Sequence, residues 1–210
     1  MIGGDEASRH LGRIVRLASR MTANAARSGG GARAALIHAF NRIFLRQRER
    51  MPRVSEVAQQ AGVSRTTFYD HYAGMDDLHM QALSYPFAAL ADAIAGKRDA
   101  ANLEQLLLHF WENRDRARLT LGGETRDKVE RLLAAMIRER LPQCASSAVP
   151  VRLASLQLAG AQLALVRAWL AGESHCSAAD IAQSICVTSA SLRTSLFPAR
   201  ARGVSVLGGS

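Results

Sequence analysis

The chain lacks the arrangements that catalysis would need. No paired carboxylates, no Cys–His or Ser–His grouping and no glycine-rich phosphate loop stand out in its 210 residues, so an enzyme is not expected. Cysteine is scarce: Cys144, Cys176 and Cys186 are odd in number and have no metal-ligand spacing. That argues against a disulfide framework or a thiolate metal site and leaves free thiols in a cytoplasmic protein. No cofactor is expected. No eighteen-residue run is apolar without a charged or polar interruption, so no membrane span is expected. The N-terminus carries no apolar core with a small-residue cleavage site, so no secretory signal is expected either. Aromatic residues make up only 5%, too few to say what ligand a pocket here would favour.

What the chain does have is 48% apolar content, enough at this length for a sizeable core, and an uneven charge. The formal net charge is +9, and residues 1–75 hold twelve arginines and no lysine against five acids. Basic charge gathered at one end suits a surface that faces phosphates. That end contains the stretch SEVAQQAGVSRTTFYDHY, Ser55 to Tyr72. Val57, Ala58 and Ala61 share one face of a short helix. Gly62 can take the positive φ that ends it, and Val63 can plug the corner. Ser64 is a favoured N-cap for a second helix, with Phe68 and Tyr72 spaced i, i+4 for the inside. Arg65, Thr66, Thr67, Tyr69 and His71 occupy its other faces. Helix, glycine turn and a polar, cationic helix make a helix-turn-helix.

The run AGVSRTTFYDHYAGMDDL resembles the DNA-binding signature of the TetR family of transcriptional regulators, and the likeness covers most of residues 33–80. The resemblance implies an all-α protein: a three-helix head over 32–75, then a linking helix and an all-helical effector-binding and dimerisation body over 76–196. The chain departs from the family pattern at three points. Arg48 stands where a glycine usually stops the first helix, which leaves the stop to Met51–Pro52. Arg53 stands where a phosphate-contacting threonine is frequent. Met75 replaces a lysine that often touches the DNA backbone.

Around this centre the rest of the chain reads as helices. Residues 1–31 form a basic extension closed by a Ser28–Gly31 linker; it is open to reading as a mobile segment, as an arm on DNA or as a basic helix on a membrane, and its narrow, aromatic-free apolar face speaks against the last. Leu36, Ile37, Phe40, Ile43 and Phe44 mark the first helix. Ser55 is the expected N-cap of the second. A long helix over Leu78–Ala95 carries Pro86 as an expected kink. Further helices are expected over 103–113, 129–140, 151–171 and from Ser177 on, with a short helix or turn at 114–123 and a disordered tail over 197–210. The helix Val151–Ala171 is apolar on almost every face and so must be buried all round; its Trp-Leu-x-Gly ending also resembles the family.

The expected DNA-binding residues are Arg53, Ser55, Ser64, Arg65, Thr66, Thr67, Tyr69 and His71. Arg65 and Thr66, early in their helix, are placed to reach base edges. Thr67, Tyr69 and His71 would hold the sugar-phosphate backbone, and Ser55 and Ser64 would present helix N-termini to phosphates. For an effector pocket the residues singled out are His109, Trp111, Met136 and Gln162, polar or adaptable side chains in mostly apolar helices. For a dimer interface they are Leu163, Trp169, Ile181, Ile185 and Leu192, on two helices that would form a four-helix bundle with a second copy. The expected partners are double-stranded DNA, a second copy and a small hydrophobic or amphipathic effector, with no membrane. The alternative keeps the fold but replaces the small effector by a protein partner.

Overall fold

The computed structural model describes residues 31–46, 50–95, 100–141 and 149–197. Helix α1 runs over Gly31–Arg46, α2 over Val54–Ala61, α3 over Arg65–His71 and α4 over Met75–Ile94. Then come α5 (Ala100–Glu112), α6 (Arg114–Leu121), a 3-10 turn at Gly123–Thr125, α7 (Arg126–Arg140), α8 (Val151–Ala171) and α9 (Ala178–Leu196). Among the described residues there is no strand, and the fold is all-α. Two edges differ from expectation. Gly31 already belongs to α1, because one glycine is tolerated in the first turn of a helix. Phe197 is no tail residue: its N–H donates to Arg193 O and its ring packs on the body. The rest of the extension and tail, the Gly96–Asp99 break, Pro142, Cys144 and Arg48 fall outside the described residues.

Apolar side chains gather into two cores. The first is a head core of Leu36, Ile37, Ala39, Phe40, Val57, Phe68, Tyr72, Leu78 and Ala82. The second is larger and joins α4 through α9, with Phe87, Leu90, Leu107, Leu133, Leu158, Leu163 and Ile185 at full or near-full burial. Helix α4 belongs to both. Its first half gives Leu78 and Ala82 to the head, its second half Phe87 to Ile94 to the body, with Pro86 between them. The helix runs through Pro86 unbroken.

α8 is the one described helix long and apolar enough to cross a membrane, and half of that stretch is buried in the body. The expectation that it is buried on every side is corrected. Ala154, Leu158, Leu163 and Val166 are buried, whereas Leu153 is 55% exposed and Gln157, Ala161, Ala164 and Ala171 are also exposed. Its small residues leave an uncharged outer face rather than a buried one.

The C-terminal end of α8 is clamped. Trp169 stacks on Trp111 of α5 at 4.8 Å between centroids, and Arg114 lies over the other ring system, 4.8 Å from the Trp111 centroid. Trp169 donates its indole N–H to Cys176 O at 2.9 Å, and Arg114 donates to Leu170 O. Gly172 then ends the helix at φ 81°, its N–H reaching Trp169 O and the Glu173 N–H reaching Ala168 O; this paired closure needs a left-handed residue. A Cβ here would also sit 2.7 Å from Arg114 Nη2. Gly172→Ala is therefore expected to cost about 1–2 kcal/mol in denaturant unfolding. Gly74→Ala, at an extended φ of 175° with no atom near, is expected to stay within about 0.5 kcal/mol.

Candidate nucleic-acid interface

The head is organised to hold α3 from behind. α3 has seven residues, too few to be stable alone, so its position comes from packing. Phe68 is wholly buried and Tyr72 nearly so, both against α1 and α4. The Tyr72 hydroxyl reaches toward Arg33 O at 3.5 Å, and the Arg33 guanidinium lies over its ring at 5.7 Å while donating to Gln81 of α4. Burial raises the Tyr72 hydroxyl above its usual range. With that side committed, Arg65, Thr66, Tyr69, Asp70 and His71 are left exposed. Tyr69 is 52% exposed and meets Phe68 edge-on at 5.3 Å, so the buried ring steers the exposed one.

The turn before α3 follows the expected chemistry. Gly62 sits at φ 70°; its N–H bonds Gln59 O and the Val63 N–H bonds Ala58 O, the two-bond closure that requires φ > 0. Ser64 caps α3, its hydroxyl accepting from the Thr67 N–H at 3.0 Å. Thr67 is bound into that cap, its own hydroxyl 3.0 Å from Ser64 Oγ. The Arg65 and Thr66 side chains carry no such tie and face solvent.

The start of α2 is a correction. The N-cap is Arg53, not Ser55, which is the second residue of the helix and is exposed. A guanidinium has no acceptor to offer the first N–H groups, so the closure comes from the other direction. Glu56 accepts the Arg53 backbone N–H at 2.8 Å and pairs with Arg50 at 2.5 and 3.0 Å. The Arg50 side chain beside it, then the Arg53 N–H, hold the Glu56 carboxyl down to about 2. Arg50 is thus occupied by a neighbour, whereas the exposed Arg53 side chain has no such partner among these bonds. Sequence reading passed over Glu56; the signal for it was an acid three residues after the true cap.

The remaining expected residues are placed differently. Leu163, Trp169, Ile181 and Ile185 lie in the body core at 5% exposure or less, and Leu192 packs against it. The first four are thus spent inside the protomer, and Leu192 is half-buried. The periodic stripe of α9 is its inner face, and α9 is held by Gln162 and Ser189 as well. The four pocket residues spend most of their polar atoms within the protomer. Gln162 donates to Leu90 O and Ser189 Oγ, both at 3.0 Å. His109 accepts from Asn113 Nδ2 through Nδ1 or its carbonyl, and burial lowers its imidazole's affinity for a proton. Trp111 is in the tryptophan clamp, and Met136 packs on the body core. Gln162 Oε1 is the exception, buried with no hydrogen-bond partner.

No family model and no curated protein matches the chain. Among solved structures it is similar to the dihydroxyacetone kinase operon activator DhaS, at 16% identity over 79% of this chain and 97% of that one, TM-score 0.48. It is also similar to the transcriptional regulator FadR from Bacillus subtilis, solved with stearoyl-CoA, at 16% identity over 75% and 97%, TM-score 0.44. A TetR-family transcriptional regulator from Streptomyces coelicolor follows, at 20% identity over 78% and 82%, TM-score 0.41.

The Glu56 contacts predict an acid limb. A carboxyl depressed in the folded state contributes stability that is present above its unfolded value of 4.5 and is lost as pH falls toward about 2. Thermal melts of the wild type should fall over that window. Glu56→Gln should melt lower than wild type at neutral pH and show a shallower decline in acid; identical acid limbs would rule out this role for Glu56.

Proposed function

We propose that the chain is a cytoplasmic, DNA-binding transcriptional regulator that acts as a homodimer, reads a near-palindromic operator through α3 and represses by occupying a promoter. The observation that carries this reading is the division of α3: Phe68 and Tyr72 locked inside, with Arg65, Thr66, Tyr69 and His71 outside, behind a glycine-closed turn. Arg65 suits bidentate contact with guanine, and the Thr66 methyl suits thymine. Arg53, Ser55, Ser64, Tyr69 and His71 would hold the phosphates and sugars that set register, with Thr67 acting through the cap.

The dimer face belongs on the outer sides of α8 and α9. Leu153, Gln157, Ala161 and Ala164 recur at four- and three-residue spacing on α8, and Gln183, Val187, Ser191 and Thr194 do so on α9, all exposed and uncharged. A face of that length without charge is what a close-packed helix pair requires. Two copies joined there would carry two α3 helices toward successive major grooves, about 34–36 Å apart or at a longer spacing. A small hydrophobic or amphipathic effector would act by binding one arrangement of the heads better than the other. Gln162 Oε1 is the buried atom where a donor on such a ligand would be recognised.

Mobility shift on the DNA upstream of the gene tests the reading. Arg65→Ala should lose about 1–3 kcal/mol of specific affinity, and wild-type affinity should fall steeply as salt rises from 50 to 200 mM, as phosphate contacts demand. No retention of any duplex at low salt would end the proposal.

A further inference from the structure

Where head meets body, the aromatic end of the head core touches an arginine of the body. Near the end of α1, Phe44 stacks on Phe40 at 5.1 Å and 19°. His79 of α4 leans on both rings, at 5.0 Å from Phe44 and 5.4 Å from Phe40. From the body, Arg116 of α6 places its guanidinium 4.3 Å from the Phe44 centroid. Three helices from the two halves of the molecule thus meet around one phenylalanine.

The polar atoms in this contact are unmatched. His79 is 2% exposed, and among the described residues neither ring nitrogen has a hydrogen-bond partner; Arg116 Nε and Nη2 are buried and equally without one. Apolar residues would fill the same space without leaving buried polar groups unpaired. The contact is held by ring stacking and by cation over ring, and it is opposed by these unpaired groups, which marks a joint near balance rather than a lock.

We propose that the Phe44–His79–Arg116 contact is a proton-sensitive joint between head and body, closed while His79 is neutral and opened when its imidazole takes a proton, without unfolding either core. An imidazolium needs an acceptor for each of its two N–H groups, and the closed joint supplies none. The charged groups that act on it are Arg116 from α6, which opposes protonation, and Asp76 on α4, which favours it but is itself held at 2.6 Å by Lys128 of α7. What α1 presents is the faces of Phe40 and Phe44. A protonated ring therefore has to leave for water, and α1 parts from α6.

The direction with pH follows. Burial, with Arg116 adding to it, lowers the His79 imidazole from 6.5 to about 4. A group depressed in this way binds protons more readily in the open state, so closure is fully favoured above about 6.5 and is lost as pH falls toward about 4. Between pH 7 and pH 5 the closed-to-open ratio should fall roughly twenty-fold. The window lies above that of Glu56, so the two titrations separate. The joint concerns the packing of head on body and stands whether or not the chain binds DNA.

Hydrogen–deuterium exchange of the full chain without DNA, at pH 7 and pH 5 and corrected for intrinsic exchange, tests it. Peptides over 38–46 and 114–121 should exchange on the order of ten-fold faster at pH 5, while those over 57–72 and 154–170 stay unchanged. In His79→Phe, or in His79→Met if the larger ring does not pack, the acid-induced rise should vanish. In Arg116→Met it should shrink, because the repulsion on the imidazolium is gone. A flat wild type, a rise spread over both cores, or a rise that survives in the folded His79 variants would overturn the proposal.

Discussion

The seven residues of α3 cannot hold a helix by themselves, because so short a segment gains too few hydrogen bonds to offset its nucleation cost. The burial of Phe68 and Tyr72 against α1 and α4 supplies what is missing, and most of the head serves that burial. Gly62 turns the chain with the left-handed conformation the closure demands. Ser64 binds the first turn, and Arg33 spans from the ring of Tyr72 to Gln81 of α4. Because the inner face is fixed this firmly, the outer face is fixed too, although none of its side chains is held by a contact of its own beyond the edge of Phe68 on Tyr69.

α4 carries that arrangement to the rest of the molecule. One helix contributes apolar residues to both cores, so a large shift of the head carries α4 with it and disturbs the packing of α4 against α5, α7 and α9. Two further ties cross the same boundary, Lys128 with Asp76 on the surface and Arg116 with Phe44 within. The surface pair adds little on its own, being exposed on both sides; the inner contact buries the imidazole and part of the guanidinium. Coupling between the two halves therefore runs through one helix and one aromatic cluster rather than through a broad interface.

The head was largely legible from sequence because its signals are local. Glycine closure, the Ser64 cap and the i, i+4 pair of Phe68 and Tyr72 depend on neighbours a few residues apart, and each is found as read. The N-cap of α2 was misread at Ser55 because residue preference ranks serine above arginine. The structure instead closes that end through Glu56 reaching back to the Arg53 N–H with Arg50 at its other side. In the body, helix positions were readable from periodicity, but which face of each helix is inner was not. Ile181 and Ile185 on α9, like Leu163 on α8, would serve a partner or the protomer's own core equally well, and only the packing of α9 on α4, α5 and α8, and of α8 on α7, assigns them to the core.

By itself, then, the sequence determined the helical class, the turn geometry and the residues that flank it, since these follow from backbone conformation and short-range spacing. Tertiary structure decided how long-range burial is shared out: α4 between two cores, the α9 stripe inward, the uncharged faces of α8 and α9 outward, and His79 beside Arg116 with no hydrogen-bond partner among the described residues for either ring nitrogen or for Arg116 Nε and Nη2. Burial is a property of what lies across from a side chain. Nothing in the local order of residues states what that will be.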